Sequence, residues 1–271
     1  MTQELPYTTA TLAADLRRLG LTAGDVVIVH SALGAVGFVA GHVQAVVEAL
    51  LEVLGPDGTL VVPTHTPDNS DPAGWQRPPV PESWWAAIRE QAAGFDPLLT
   101  PSRWVGILPE TVRTWPGALR SNHPATSFAA LGPLAATITG THPLEQGLGD
   151  ESPLGAVYRA GGKVLLLGCD HGNNTSLHLA ECRLTDPPTE ENGAAVRNPD
   201  GTNSWVTWTA PLADETDFDE IGRAYEKTGP VSAGRVGNAE SRLMPQRDLV
   251  DFAVTWMTEN RNSVGPGDVT I

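Results

Sequence analysis

The sequence predicts an α/β fold, with a mixed, largely parallel central sheet flanked by helices and a C-terminal antiparallel hairpin. Three observations predict it. Residues 25–63 run strand, loop, helix, strand, the cadence of a βαβ unit, whose two strands must lie parallel. Lys163–Gly168 is an aliphatic run set between helical segments, the pattern of a strand buried on both faces. Asn198-Pro199-Asp200-Gly201 is a turn signal ahead of Ser204–Thr209, which alternates as a half-buried antiparallel strand does.

The elements follow in order. Residues 8–19 place apolar side chains at helical spacing behind a threonine-rich start, which predicts a capped helix. Asp25–His30 is a β-branched strand, Ser31–Gly37 a small-residue loop, and Gly41–Leu54 a helix closed by Gly55-Pro56-Asp57-Gly58. Thr59–Pro63 is the next strand. A long stretch rich in Pro, Asp and Trp occupies 64–100, with a helix expected over Pro81–Glu90, opened by Pro and Glu. Further helices are expected over Ile107–Thr114, Pro133–Thr139, Ser152–Arg159, Ser176–Leu184 and Gln246–Glu259, and a short strand or turn over Ser127–Leu131.

Composition narrows the function classes. Asp and Glu outnumber Lys and Arg 32 to 17, giving a formal charge of −15 over 271 residues. Such a surface repels phosphate backbones, so no nucleic-acid partner is expected; it favours cationic partners, or serves solubility alone. The longest apolar runs are far short of the roughly 20 residues of a bilayer span. The start, MTQELPYTTA, has no basic region leading into an apolar stretch, so no secretory signal and a cytoplasmic location are expected. Two cysteines, Cys169 and Cys182, are too few for a disulfide scaffold or a cysteine zinc site.

Five segments could carry chemistry. The loop Ser31-Ala32-Leu33-Gly34-Ala35-Val36-Gly37 would let a phosphate approach the backbone near a helix start, or is simply a tight turn; it is neither GxGxxG nor a P-loop. In the second, Ser102 can cap the following helix, and Arg103 suits a phosphate or a surface carboxylate. In the third, His123 stands before Pro124 in a polar loop, as a catalytic group or as a histidine bonded to the backbone.

The fourth segment is the richest. The strand ending at Gly168 runs into a polar loop with Asp170, His171 and Asn174, then a helix beginning at Thr175 and Ser176. On that helix His178 and Glu181 are three apart and share a face. A carboxylate beside a histidine fixes its tautomer and raises its basicity, which suits a general base. A structural His–Glu pair is the plainer reading; zinc would need a third ligand, and the spacing is not HExxH. In the fifth, Asp68, Asp71 and Glu82 lie near Trp75, Trp84 and Trp85, and Asp214, Glu215, Asp217, Asp219 and Glu220 crowd together further on. Such charges form a solvated face, or with the tryptophans a site for a polycationic, ring-shaped ligand.

Five stretches in order resemble one family: Val29–Gly34 with Gly37; Gly58–Thr64; Ser121–Pro124 with Ser127–Gly132; Leu166–Gly168 with Asn174–Glu181; and Gly229–Val231 with Arg247–Val250. They are similar to the aminoglycoside 3-N-acetyltransferases, over about residues 8–258. The resemblance implies an antibiotic N-acetyltransferase fold distinct from GNAT, and no GNAT-type pyrophosphate loop is present. It implies acetyl-CoA as co-substrate, no metal, and the 3-amino group of a 2-deoxystreptamine antibiotic as acceptor, with antibiotic resistance as the outcome. Residues 31–37 would cradle CoA with Thr64, Ser102 and Arg103; His178 would be the base, with Glu181, His123 and Thr175 around it. Asp68, Asp71, Trp75, Glu82, Asp170, Asn174 and Asp217 would hold the acceptor. Beside this stand a same-fold acetyltransferase for another amine and a non-catalytic aminoglycoside-binding protein. Residues 1–262 are expected to form one domain, 64–100 a substrate-specificity insert and 263–271 a loose tail, in a monomer or homodimer.

Overall fold

The computed structural model describes residues 3–76 and 78–261; the expected tail, 263–271, lies outside the described residues. The chain opens with helix α1 (Thr9–Leu19), whose capping box joins Thr8 and Thr11, then strand β1 (Val26–Ser31), helix α2 (His42–Leu54) and strand β2 (Thr59–Pro63). The Pro- and Trp-rich stretch folds into two short 3-10 turns and helix α3 (Trp85–Gln91). Helix α4 (Ile107–Arg113), strands β3 (Leu119–Arg120) and β4 (Phe128–Leu131), and helices α5 (Ala135–Thr139) and α6 (Pro153–Arg159) follow. Strand β5 (Lys163–Leu167), helix α7 (Ser176–Glu181), hairpin strands β6 (Thr189–Arg197) and β7 (Asn203–Pro211), helix α8 (Phe218–Glu226), strands β8 (Ser232–Val236) and β9 (Ala239–Pro245), and helix α9 (Gln246–Asn260) complete it.

Seven strands form the central sheet in the order β3-β4-β2-β1-β5-β9-β8. The sheet is mixed, and its parallel part is the centre: β2 and β5 both run parallel to β1, while the four flanking pairings are antiparallel. The hairpin expected around residues 198–201 is present as β6–β7, in its own two-stranded sheet. A second hairpin, β8–β9, closes one edge of the central sheet and was not expected. The helix expected over Pro81–Glu90 divides at Trp84, and the one expected to reach Leu184 stops at Glu181.

Strand alternation sorts the core into two layers. Val27, Val29, Leu60, Val62, Leu165 and Leu167 face the layer built on α1, α2 and α4. Val26, Ile28, Val61, Val164 and Leu166 face the layer built on α5 to α9. At about 25 cal/mol per Å² of apolar area, burial on both faces makes these central strands the rigid frame of the molecule. Because β2 and β5 flank β1 on opposite sides, the carboxyl ends of all three converge where the connections diverge, the place open α/β sheets use for ligands.

Candidate active site

A cleft of about 750 Å³ opens at those strand ends. His30 and Ser31 reach it from the end of β1, Pro63 and His65 from the end of β2, and Asn174, Thr175 and His178 from the segment that follows β5. Arg103 and Trp104 form one rim; Asn192, Glu215 and Phe218 form the other. The 64–100 stretch is pinned across to the hairpin. Asn69 exchanges hydrogen bonds with the Ala195 backbone in both directions, and Phe95 bridges to Val196.

His178 and Glu181 meet as the three-residue spacing predicts. The His178 Nδ1–H donates to Glu181 Oε2 at 2.6 Å. Side-chain exposures are 14% and 3%, so the pair is shielded while the imidazole still lines the cleft. The carboxylate on Nδ1 fixes the tautomer and leaves Nε2 as the basic nitrogen. The Phe218 ring lies 4.7 Å from the imidazole centroid. Glu181 Oε1 in turn accepts from Arg261 at 2.7 Å and from the Asp214 amide at 3.2 Å. A buried carboxylate held by three hydrogen bonds across both of its oxygens is fixed against the imidazole.

Other histidines surround this pair in neutral form. Burial, with His178 second, pushes His30 down to about 3; the same causes put His65 at about 3. His30 Nε2 and His65 Nδ1 are sealed from solvent and lack a hydrogen-bond partner. His123 is pushed down to about 4 by burial. Its Nδ1 accepts from the Ala125 and Thr126 amides, and its Nε2–H donates to the Leu144 carbonyl at 3.2 Å. Both ring nitrogens are engaged by backbone, and His123 does not line the cleft.

The predicted loop divides. Ser31 lines the cleft, whereas Leu33, Gly34, Val36 and Gly37 line an apolar recess of about 340 Å³ beside it, with Phe38 and Ile107. Ala32 and Ala35 pack under Gly168, where a Cβ would lie 2.8 Å from the Ala35 Cβ. Thr64 is buried, 3.2 Å from the Ser127 hydroxyl and 3.1 Å from Arg120, outside the cleft lining. Ser102 does not cap the following helix, whose N-cap is Gly106; its amide and hydroxyl both bond Glu110 at 2.8 Å. Arg103 pairs with Asp68 at 3.0 Å, and Trp104 Nε1 donates to the same carboxylate.

Among the predicted acceptor residues, Asn174 lines the cleft, and Asp68 and Trp75 line a recess of about 530 Å³ that shares Arg103 and Trp104 with it. Asp71 caps a 3-10 turn and holds Arg89 at 2.7 Å. Glu82 lies in the next 3-10 turn, away from these recesses. Asp170 is exposed, 3.4 Å from Arg242. Asp217 is bound by Arg261 at 2.5 Å. Cys182 follows Glu181, and burial pushes its thiol up to about 12, out of reach as a nucleophile. No group of three or more His, Cys, Asp or Glu side chains able to hold a metal occurs among the described residues.

Three contributors escaped the sequence reading: His30, His65 and Arg261. His30 could have been found, since it ends a strand expected beside the ligand-binding edge. Arg261 could not, because it meets Glu181 across 80 residues.

A polar cleft at a sheet switch point, lined by a shielded His–carboxylate pair, is the arrangement of an α/β enzyme. The chain belongs to the aminoglycoside 3-N-acetyltransferase family, whose model matches residues 28–258. It is 38% identical to aminoglycoside N(3)-acetyltransferase VII of Streptomyces paromomycinus, over 97% of this chain and 96% of that one. Its structure is similar to the crystal structure of YokD from Bacillus subtilis, with a TM-score of 0.94, 39% identity and 97% coverage of both chains. It is also similar to AAC-IIIb in its binary complex with CoASH, with a TM-score of 0.84, 33% identity, and coverage of 97% and 100%. The fold is thus the antibiotic N-acetyltransferase architecture, as the resemblance implied, and not GNAT. No helix among the described residues is long and apolar enough to cross a membrane.

Proposed function

We propose that the protein transfers acetyl from acetyl-CoA directly to the 3-amino group of a 2-deoxystreptamine aminoglycoside, in a ternary complex, with His178 as general base and antibiotic resistance as the result. The observation that carries this reading is the 2.6 Å contact from His178 Nδ1 to Glu181 at the base of the cleft. Family membership and the CoASH complex of the related AAC-IIIb support it.

The residues present fit an anionic, extended donor. Arg103 is the one guanidinium among the described residues lining the cleft, and Ser31 presents a strand end beside a stretch of small residues. Bound there, acetyl-CoA supplies an activated acyl group. Glu215 at the opposite rim and Asn174 are suited to a polycationic sugar, with Asp68 and Trp75 in the recess beside Arg103. Asp71, Glu82, Asp170 and Asp217 stand outside the cleft lining and are left out of the proposed contact set. His178 Nε2 takes the proton that the attacking amine must lose, and Glu181 stabilises the resulting imidazolium. The Thr175 hydroxyl, which lines the cleft beside His178, is placed to steady developing oxyanion charge. We read residues 1–262 as one catalytic domain and 64–100 as its specificity insert.

A positioned base supplies about 10²–10⁴-fold in rate. His178→Ala should therefore lose at least about two decades of CoA release over an aminoglycoside panel, while calorimetry still detects acetyl-CoA binding. Wild-type turnover in that variant would remove His178 from the role. CoA release equally fast without any aminoglycoside would overturn the acceptor assignment.

A further inference from the structure

Arg261 stands at the C-terminal end of α9, three residues beyond the segment that the family model matches. Its NH1 donates to Glu181 Oε1 at 2.7 Å, its Nε to Asp217 Oδ2 at 2.7 Å, and its NH2 to Asp217 Oδ1 at 2.5 Å and to the Asp214 carbonyl at 2.9 Å. One guanidinium thus ties the last helix to α7 and to the turn before α8. It is less than a quarter exposed, and the Asp217 and Glu181 carboxylates raise its pKa further, so its charge is permanent. Glu181 is held between two partners of opposite consequence. Its Oε2 stabilises positive charge on His178, and the cation on its Oε1 withdraws part of that stabilisation.

We infer that Arg261 is a positioning residue: through Glu181 it orients the His178 imidazole and sets how readily that imidazole holds a proton. The inference rests on the general-base reading of His178. The charged and titratable groups facing His178 are few. Glu181 comes from its own helix, His30 from β1, His65 from the segment after β2, and Asp214 and Glu215 from the turn before α8. His30 and His65 are neutral down to about 3, so they do not change charge in the working range. Asp214 is held ionised by its hydrogen bond from Thr216, with Arg261 and His178 adding to the effect. Arg261 and Asp217 therefore form the nearby ion pair whose two halves can be neutralised separately.

Opposite signs follow from the two neutralisations. Arg261→Gln removes the cation, the imidazolium becomes easier to form, and the acid limb of the pH–rate profile moves up. Asp217→Asn leaves the cation uncompensated beside Glu181, and the acid limb moves down. Each shift should be on the order of half a pH unit, because the charge acts through one intervening carboxylate. Arg261→Lys should return the limb to the wild-type position. The measurement is kcat against pH for CoA release with a saturating aminoglycoside, on full-length variants whose fold is checked by circular dichroism.

Shifts in opposite directions with rescue by lysine support the inference. Superimposable profiles overturn it. Shifts of one sign, or a loss of amplitude without a shift, also overturn it, because a purely structural brace would damage both variants alike. If Arg261→Gln does not fold, the downward shift in Asp217→Asn decides the matter alone. His178→Ala is assayed alongside; full turnover there would bring down the base reading itself, whatever the Arg261 variants do.

Discussion

Glu181 accepts hydrogen bonds from three directions: His178 on Oε2, Arg261 and the Asp214 amide on Oε1. That asymmetry gives Glu181→Gln an outcome that substitution tables would not suggest. The new amide has one oxygen and one NH₂. Arg261 and the Asp214 amide are both donors, so the oxygen must face them and the NH₂ must face His178 Nδ1. The imidazole is then forced to accept at Nδ1 and to carry its proton on Nε2, where a base needs a lone pair. We expect Glu181→Gln to lose about 10²–10⁴-fold in kcat, as much as His178→Ala, and to be more damaging than Glu181→Ala, which leaves the tautomer free. Steady-state CoA release on the three variants checks this; near-normal turnover in Glu181→Gln would show that the amide does not lock the wrong tautomer. The His178–Glu181 contact was legible in the sequence because three residues along a helix return to the same face. The Arg261 contact was not, since no local period relates residues 80 apart.

At the scale of elements, α8 shows why the site's rim was only half legible. Phe218, Ile221, Gly222 and Tyr225 are its buried stripe, at helical spacing. The surrounding Asp and Glu residues gave the segment the look of a solvated charge run, so composition masked periodicity. β8 and β9 were missed for a related reason. Four of the five β8 residues are exposed, and without an apolar alternation an edge strand looks like a loop. Gly222 matters beyond packing. A Cβ there would overlap the His171 ring, which the helix holds through Glu226 at 3.0 Å. Asn174 Nδ2 approaches the other ring nitrogen at 3.4 Å, and Asp219 binds the Gly172 amide at 2.7 Å. The loop 172–175 that lines the cleft is thus shaped by α8. Gly222→Ala should displace His171 and that loop together, at a cost of about 1–3 kcal/mol in stability. It should raise KM for the acceptor more than Ala substitution at an exposed α8 position such as Arg223. Thermal unfolding and KM measured on both variants test this; unchanged KM with lowered stability would separate packing from loop shape.

The whole molecule carries a formal charge of −15, and much of the acidity singled out in the sequence proves to be internally paired: Asp68 with Arg103, Asp71 with Arg89, Glu181 and Asp217 with Arg261. Acid sensitivity nevertheless belongs first to the histidines. Burial holds His30, His65 and His142 at about 3 and His123 at about 4, against 6.5 for a free imidazole. Their folded-state values are depressed, so below pH 6.5 the unfolded chain binds protons that the folded chain refuses. Stability must then rise with pH across this window and level off above it, by about 1.4 kcal/mol per histidine for each pH unit. The depressed carboxylates act lower down. Glu110, held at about 2 by Arg113 and Ser102 against its burial, begins to count only below about 4.5. The interval from pH 6.5 to 5 therefore isolates the histidines. We expect Tm to be flat from pH 8 to 7 and to fall steeply from 6.5 to 5. His142 donates from Nε2 to the Gly147 carbonyl and accepts at Nδ1 from Ser121, each at 2.8 Å. His142→Asn should be less stable at pH 7.5 by about 1–3 kcal/mol, having lost one of those partners, yet should lose less Tm on acidification. Calorimetry at four pH values decides it: a variant whose Tm falls in parallel with wild type would place the acid-labile protons elsewhere in the fold.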